Sequence, residues 1–190
     1  MNITQKLMDE HQLILAYTRL LEGYIMALKE DPTRTVLSER LPDFIPFVRE
    51  YADRYHHAKE EDILFKFMEK PGVLTHCNPI PQMNYEHEEG RKYIRGMLES
   101  LQQGDVNRAL RFAHGWLELL REHITKEDSI LYPMAEESIP ESERVKISLQ
   151  YENAEERLQG EMLEKKYQAL FQELKILLEK NSSRRVSLEA

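Results

Sequence analysis

"HHAKEEDILF", residues 56–65, and "HITKEDSILY", residues 123–132, carry the pattern that sets this chain's fold. In each, a histidine is followed four residues later by a glutamate and then by an apolar pair. A spacing of four puts two side chains one turn apart on the same face of a helix. Aligned, His56 meets His123, Lys59 meets Lys126, Glu60 meets Glu127, and Ile63-Leu64 meets Ile130-Leu131. Upstream lies a second matched pair, "DEHQLI" (9–14) and "YEHEEG" (85–90). The chain reads as two copies of one helical hairpin.

Helical periodicity extends outward from these stretches. Segment one places Ile3, Leu7, His11, Ile14, Thr18, Leu21, Ile25 and Leu28 on one stripe. Segment two, beginning near residue 43 beyond Pro42, carries Ile45, Val48, Ala52, His56, Glu60, Ile63 and Phe67. Segment three carries Ile80, Met83, His87, Gly90, Ile94, Met97 and Leu101; segment four carries Trp116, Leu120, His123, Glu127, Ile130 and Met134. The breaks are Asp31-Pro32, the loop "EKPGVLTHCNPIP" (69–81), Gly104-Asp105 with Asp105 as an N-cap, and Pro133 to Pro140. Ser138 and Glu141 have capping-box spacing across Pro140. Short connections favour antiparallel neighbours, so the expected fold is all-α: an up-down antiparallel four-helix bundle (1–137), a further C-terminal amphipathic helix (138–180) and a disordered tail (181–190). That last helix is expected to pack on the bundle or on a second copy of the chain, as a homodimer.

The chain has 190 residues, a net charge of −8 and one basic doublet, Arg184-Arg185, which argues against nucleic acid as a partner. No window is apolar enough for a membrane span, no signal-peptide core opens the chain, and the single cysteine, Cys77, forms no internal disulfide. The expected location is cytoplasmic. Few glycines and many Leu, Glu, Lys and Gln suit helix.

Each core stripe contains a histidine, and two also contain a glutamate. Buried, unpaired carboxylates cost several kcal/mol each, so a cation must compensate them. Lys59 and Lys126 sit about 100° off the stripe, leaving a bound metal as the economical answer. Imidazole and carboxylate donors without thiolate fit iron or manganese better than a structural zinc site. Opposed carboxylates can bridge two ions.

These motifs resemble the hemerythrin-like (HHE cation-binding) family over residues 1 to about 137, through "DEHQLI", "HHAKEEDILF", "EHEEGR" and "HITKEDSILYP". The resemblance implies a four-helix bundle with a non-haem di-iron site, oxo- or hydroxo-bridged, with manganese or zinc as other occupants. It implies His11, His56, His87 and His123 as terminal ligands and Glu60 and Glu127 as bridges. His57 stands where some members carry a fifth ligand, or else supports or lies outside the site. The chain departs from the oxygen-carrying hemerythrins in two places: Arg91 stands four after His87, where they have a second histidine, and Glu127 follows His123 by four residues rather than five. Gly90, where the repeat has Ile14, is expected to leave room for a small ligand.

His114 is expected on the outer face, and Tyr17, Tyr51, Tyr55 and Tyr93 near the core; His76, beside Cys77, has nothing converging on it. Three functions remain open: a module that binds or senses oxygen, nitric oxide, peroxide or iron and redox state; a di-iron enzyme turning over peroxide or nitric oxide; and a metal-free helical interaction protein.

Overall fold

The computed structural model describes residues 2–75 and 77–183; His76 and most of the expected tail (184–190) lie outside them. The described residues form six helices and no strand: α1 (Gln5–Glu30), α2 (44–68), α3 (Ile80–Gln102), α4 (106–138), α5 (Glu141–Leu158) and α6 (Gly160–Ser183). One helical turn (Thr35–Ser38) and a 3-10 turn (Leu41–Asp43) join α1 to α2. Asp105 caps α4 as expected, its carboxylate accepting from the Arg108 amide at 2.8 Å.

Contacts between helices fix the topology. Glu10 meets His56 while Tyr17 stacks on Phe47, so α1 and α2 run antiparallel. Arg91 reaches Asp53 while His87 reaches Glu61, which sets α2 against α3. His87 faces His123 and Gly115 approaches Tyr93, reversing α3 and α4. Arg121 pairs with Glu22 while Asp128 pairs with His11, closing α4 onto α1. The result is the up-down antiparallel four-helix bundle.

α2 and α4 are not regular α-helices. Over Phe47–His57, Glu60–Leu64 and Glu127–Leu131 the winding widens to π-helix, with backbone bonds reaching one residue further. In α4 this moves the core stripe by one residue. Leu131 is buried at 1%, whereas Ile130, expected inside, is 53% exposed. The same change of register lets α4 continue through Pro133. That residue falls in the first turn of the resumed α-helix, where no N–H is required of it. Helix α4 therefore runs to Ser138, the Ser138 capping box does not form, and Pro140 is the N-cap of α5.

The single helix expected over 138–180 is two helices. Gln159 adopts left-handed backbone, φ 55°, and ends α5. A side chain at Gly160 would lie 2.6 Å from the Tyr55 ring, so the corner packs tightly against α2. From there α6 runs parallel to α1: Tyr17 Oη donates to the Tyr167 carbonyl (2.7 Å) and Tyr24 Oη to that of Leu174 (2.9 Å). Both C-terminal helices thus pack on the bundle. Tyr167 and Leu174 join one hydrophobic cluster with Tyr17, Phe47 and Leu120; Ile147, Tyr151 and Ala154 join a second with Leu7, Leu64 and Tyr132. Between the two clusters lies a buried layer of His11, His56, Glu60, His87, His123 and Glu127.

Candidate metal centre

The layer has approximate twofold symmetry, as the duplicated hairpin requires. His11 Nε2 and His56 Nε2 face each other at 3.0 Å, and His87 Nε2 and His123 Nε2 do the same at 3.0 Å. Glu127 approaches His11 (3.4 Å), His123 (3.0 Å) and His87 (3.7 Å); Glu60 approaches His87 (3.4 Å) and His56 (3.7 Å). The carboxylates therefore lie between the two histidine pairs. His11, His56, Glu60 and Glu127 each offer one donor atom within 4.8 Å of the others, and so do His57, His87 and His123. All seven residues singled out in the sequence are drawn into these two groups.

The outer nitrogens of the imidazoles explain why the inner ones converge. Nδ1 of His56 meets Glu10 (2.8 Å), that of His123 meets Glu86 (2.9 Å), that of His11 meets Asp128 (2.8 Å) and that of His87 meets Glu61 (2.7 Å). A carboxylate at Nδ1 holds the proton there and leaves Nε2 as a lone pair. Four lone pairs thus point inward in facing couples. Glu60 Oε2 and both oxygens of Glu127 are buried without a hydrogen-bond partner among the described residues. Such a set of acceptors without donors is stable only around cations. The spacing fits: two imidazole nitrogens about 2.1 Å from one ion at a right angle stand about 3.0 Å apart.

Electrostatics agree. Burial first, then the charge of Glu127, pushes the Glu60 carboxyl up to about 8. Against burial, which opposes a charged ring, the hydrogen bond to Asp128 and the nearby carboxylate of Glu127 carry His11 up to about 9. His87 reaches about 9 through Glu127 and Glu61, also against burial. With no cation present, protons must neutralise the layer.

His57 breaks the symmetry, since its counterpart in the repeat is Ile124. Its ring stacks on His87 with centroids 3.7 Å apart, and its Nδ1 lies 3.3 Å from Asp53. Arg91, absent from the donor groups, holds Asp53 through two bonds of 2.9 and 2.7 Å and also bonds Glu61 at 2.8 Å. The residue occupying the place of the missing third-helix histidine thus steadies the carboxylates behind His57 and His87. Across the layer the counterpart of Phe65 is Tyr132, whose Oη donates to Glu60 at 2.6 Å and lies 3.4 Å from His11 Nε2.

Lys59 is a correction. Expected off the stripe, it is fully buried, paired with Glu10 and with Glu155 of α5 (2.8 Å). The wider winding of α2 turns successive residues through less than 100° and brings it inward. It sits behind His56, on the far side of Glu10, and so does not neutralise Glu60 or Glu127. Lys126 pairs likewise with Glu86. His114 is half-exposed beside Glu118, as expected of an outer face. The five carboxylates that hold the imidazoles were not singled out in the sequence. Glu10, Glu86, Glu61 and Asp128 were legible there as the residues adjoining each repeated ligand position.

The family model described as Hemerythrin HHE cation binding domain matches residues 2–135. This chain belongs to the hemerythrin HHE family. No curated protein and no solved structure matches it. Membership of this family implies cation binding, and the two donor groups are where residues able to hold an ion meet. No helix of the described residues is long and apolar enough to cross a membrane.

Proposed function

We propose that this HHE domain holds two iron ions and binds or senses oxygen, nitric oxide or peroxide. His11 and His56 would hold one ion and His57, His87 and His123 the other, with Glu60 and Glu127 shared. The observation that carries the proposal is the inward set of acceptors: facing Nε2 pairs at 3.0 Å around three carboxylate oxygens with no hydrogen-bond partner among the described residues. Iron, when bound, supplies Lewis acidity and a change of oxidation state. The chain's own contribution is to fix tautomers from outside, flank the layer with two apolar clusters, and hold a phenolic proton at Tyr132 Oη beside Glu60.

A second reading, a di-iron enzyme acting on peroxide or nitric oxide, is favoured by the asymmetry. Three histidines on one side and two on the other would make the ions inequivalent, and Tyr132 Oη lies 3.4 Å from His11 Nε2, on the two-histidine side alone. Metal analysis of the untagged chain, with visible spectra before and after air, tests the first reading. About two irons per chain and oxygen-sensitive charge-transfer bands are expected; a folded chain that refuses iron would overturn it. Sustained peroxide consumption under a defined reductant would favour the enzyme.

A further inference from the structure

Beside the His57, His87 and His123 group lies a cavity of about 330 Å³, between α2, α3 and α4. Gly90 opens it. In the other hairpin the same position is Ile14, whose side chain is buried in the core. A Cβ at Gly90 would meet Trp116 Nε1 at 3.8 Å and Leu119 at 3.9 Å, ordinary contacts, and Gly90 lines the cavity, so a longer side chain there would take up its space. Such a volume suits a small organic molecule and exceeds what a diatomic needs.

The lining is graded along its length. Its buried end is formed by His87 and His123, its sides by Ala52, Ile94, Trp116 and Leu120, and its exposed rim by Arg49 and Arg95. The wall's two acids are already engaged, Asp53 by Arg91 and His57, and Glu86 by His123 and Lys126. Arg49 and Arg95 have no ion-pair partner among the described residues, so the uncompensated charge at the rim is positive. Guanidinium groups above an apolar shaft recognise an anionic head, a carboxylate being the smallest organic one, on an apolar body.

We infer that this cavity is a binding site for a medium-chain or aromatic monocarboxylate, its acid group on Arg49 and Arg95 and its apolar end against the imidazoles. The site rests on the cavity and its rim, not on the identity of the metal. It gives the centre a substrate or effector class larger than the diatomics.

Trp116, the chain's single tryptophan, lines the cavity and reports its occupancy. Octanoate titrated into the full-length chain, as purified and again with zinc replacing its metal, is expected to change Trp116 fluorescence saturably. Gly90→Leu should abolish the response. The surface double variant Arg49→Gln/Arg95→Gln should weaken octanoate about tenfold, worth about 1.4 kcal/mol, while changing octanol binding less than about twofold. No saturable response in the parent chain, unchanged octanoate affinity in Gly90→Leu, or equal loss of both ligands in the arginine variant would overturn the inference. If Gly90→Leu does not fold, the arginine variant decides. Metal content of the same samples separates the two proposals. A two-iron chain indifferent to octanoate removes this one alone, and an iron-refusing chain that still saturates removes the iron reading alone.

Discussion

At the scale of single residues, the metal-free layer is held together by protons. Glu60, His11, His87 and His123 all have folded-state values above their unfolded ones, at about 8, 9, 9 and 10. The folded chain therefore binds more protons than the unfolded chain, and this stability is lost as pH rises through those values. His56 and His57 are lowered by burial, so they titrate below this window. The metal-free protein should melt at progressively lower temperature between about pH 6.5 and 10. A metal replaces those protons, so the loaded protein should not follow that decline, and its advantage should widen with pH. Calorimetry of both forms across that range checks the sign. Tyr132→Phe keeps the ring and removes the donor to Glu60; about 1 kcal/mol of stability should go with it, with a shifted visible band in the loaded protein. His57→Ile, which copies the counterpart Ile124, should reduce the metal content by about half if its ring is a ligand; unchanged content would assign His57 a supporting role.

At the scale of elements, α2 bears the greatest load. Its wide turns present His56, His57, Lys59 and Glu60 to the interior together, which a regular helix spaced at 100° could not do. Lys59→Met should cost about 3–5 kcal/mol, because it leaves the buried Glu10 without its paired cation and Glu155 with Lys6 alone; urea denaturation measures it. Much of this architecture was legible in the sequence. The four stripes, the antiparallel order and six of the candidate ligands follow from period and repetition; His57, which has no counterpart in the repeat, was suggested by the family resemblance alone. The π turns were not legible, because widened winding leaves no residue signature, and with them went Ile130, Lys59 and the passage through Pro133. The corner at Gln159 escaped because neither Gln nor the adjacent Gly160 interrupts a strongly periodic charged segment enough to mark an end. Tyr132 escaped because its partner Glu60 is 72 residues away.

At the scale of the whole molecule, the polar layer divides the interior into two apolar halves, and each C-terminal helix closes one of them. Chelation should therefore lower the melting temperature of the whole chain rather than loosen one end, since helices α1 to α4 all cross the layer; coincident fluorescence and circular dichroism transitions check this. Removing α6 should uncover Tyr17, Tyr24 and Phe47 and leave a shortened chain prone to association, measurable by light scattering.

The two phenol bonds from α1 to α6 have a mechanical consequence. Tyr17 and Tyr24 are seven residues apart, two turns of helix, and so are the carbonyls they hold at Tyr167 and Leu174. A small slide of α6 along α1 would strand both hydroxyls inside the core at once. The shortest travel that offers both a fresh carbonyl is one full turn, about 5.4 Å. Any message that α6 carries from this bundle is consequently quantised: the helix stays, jumps a notch, or lets go.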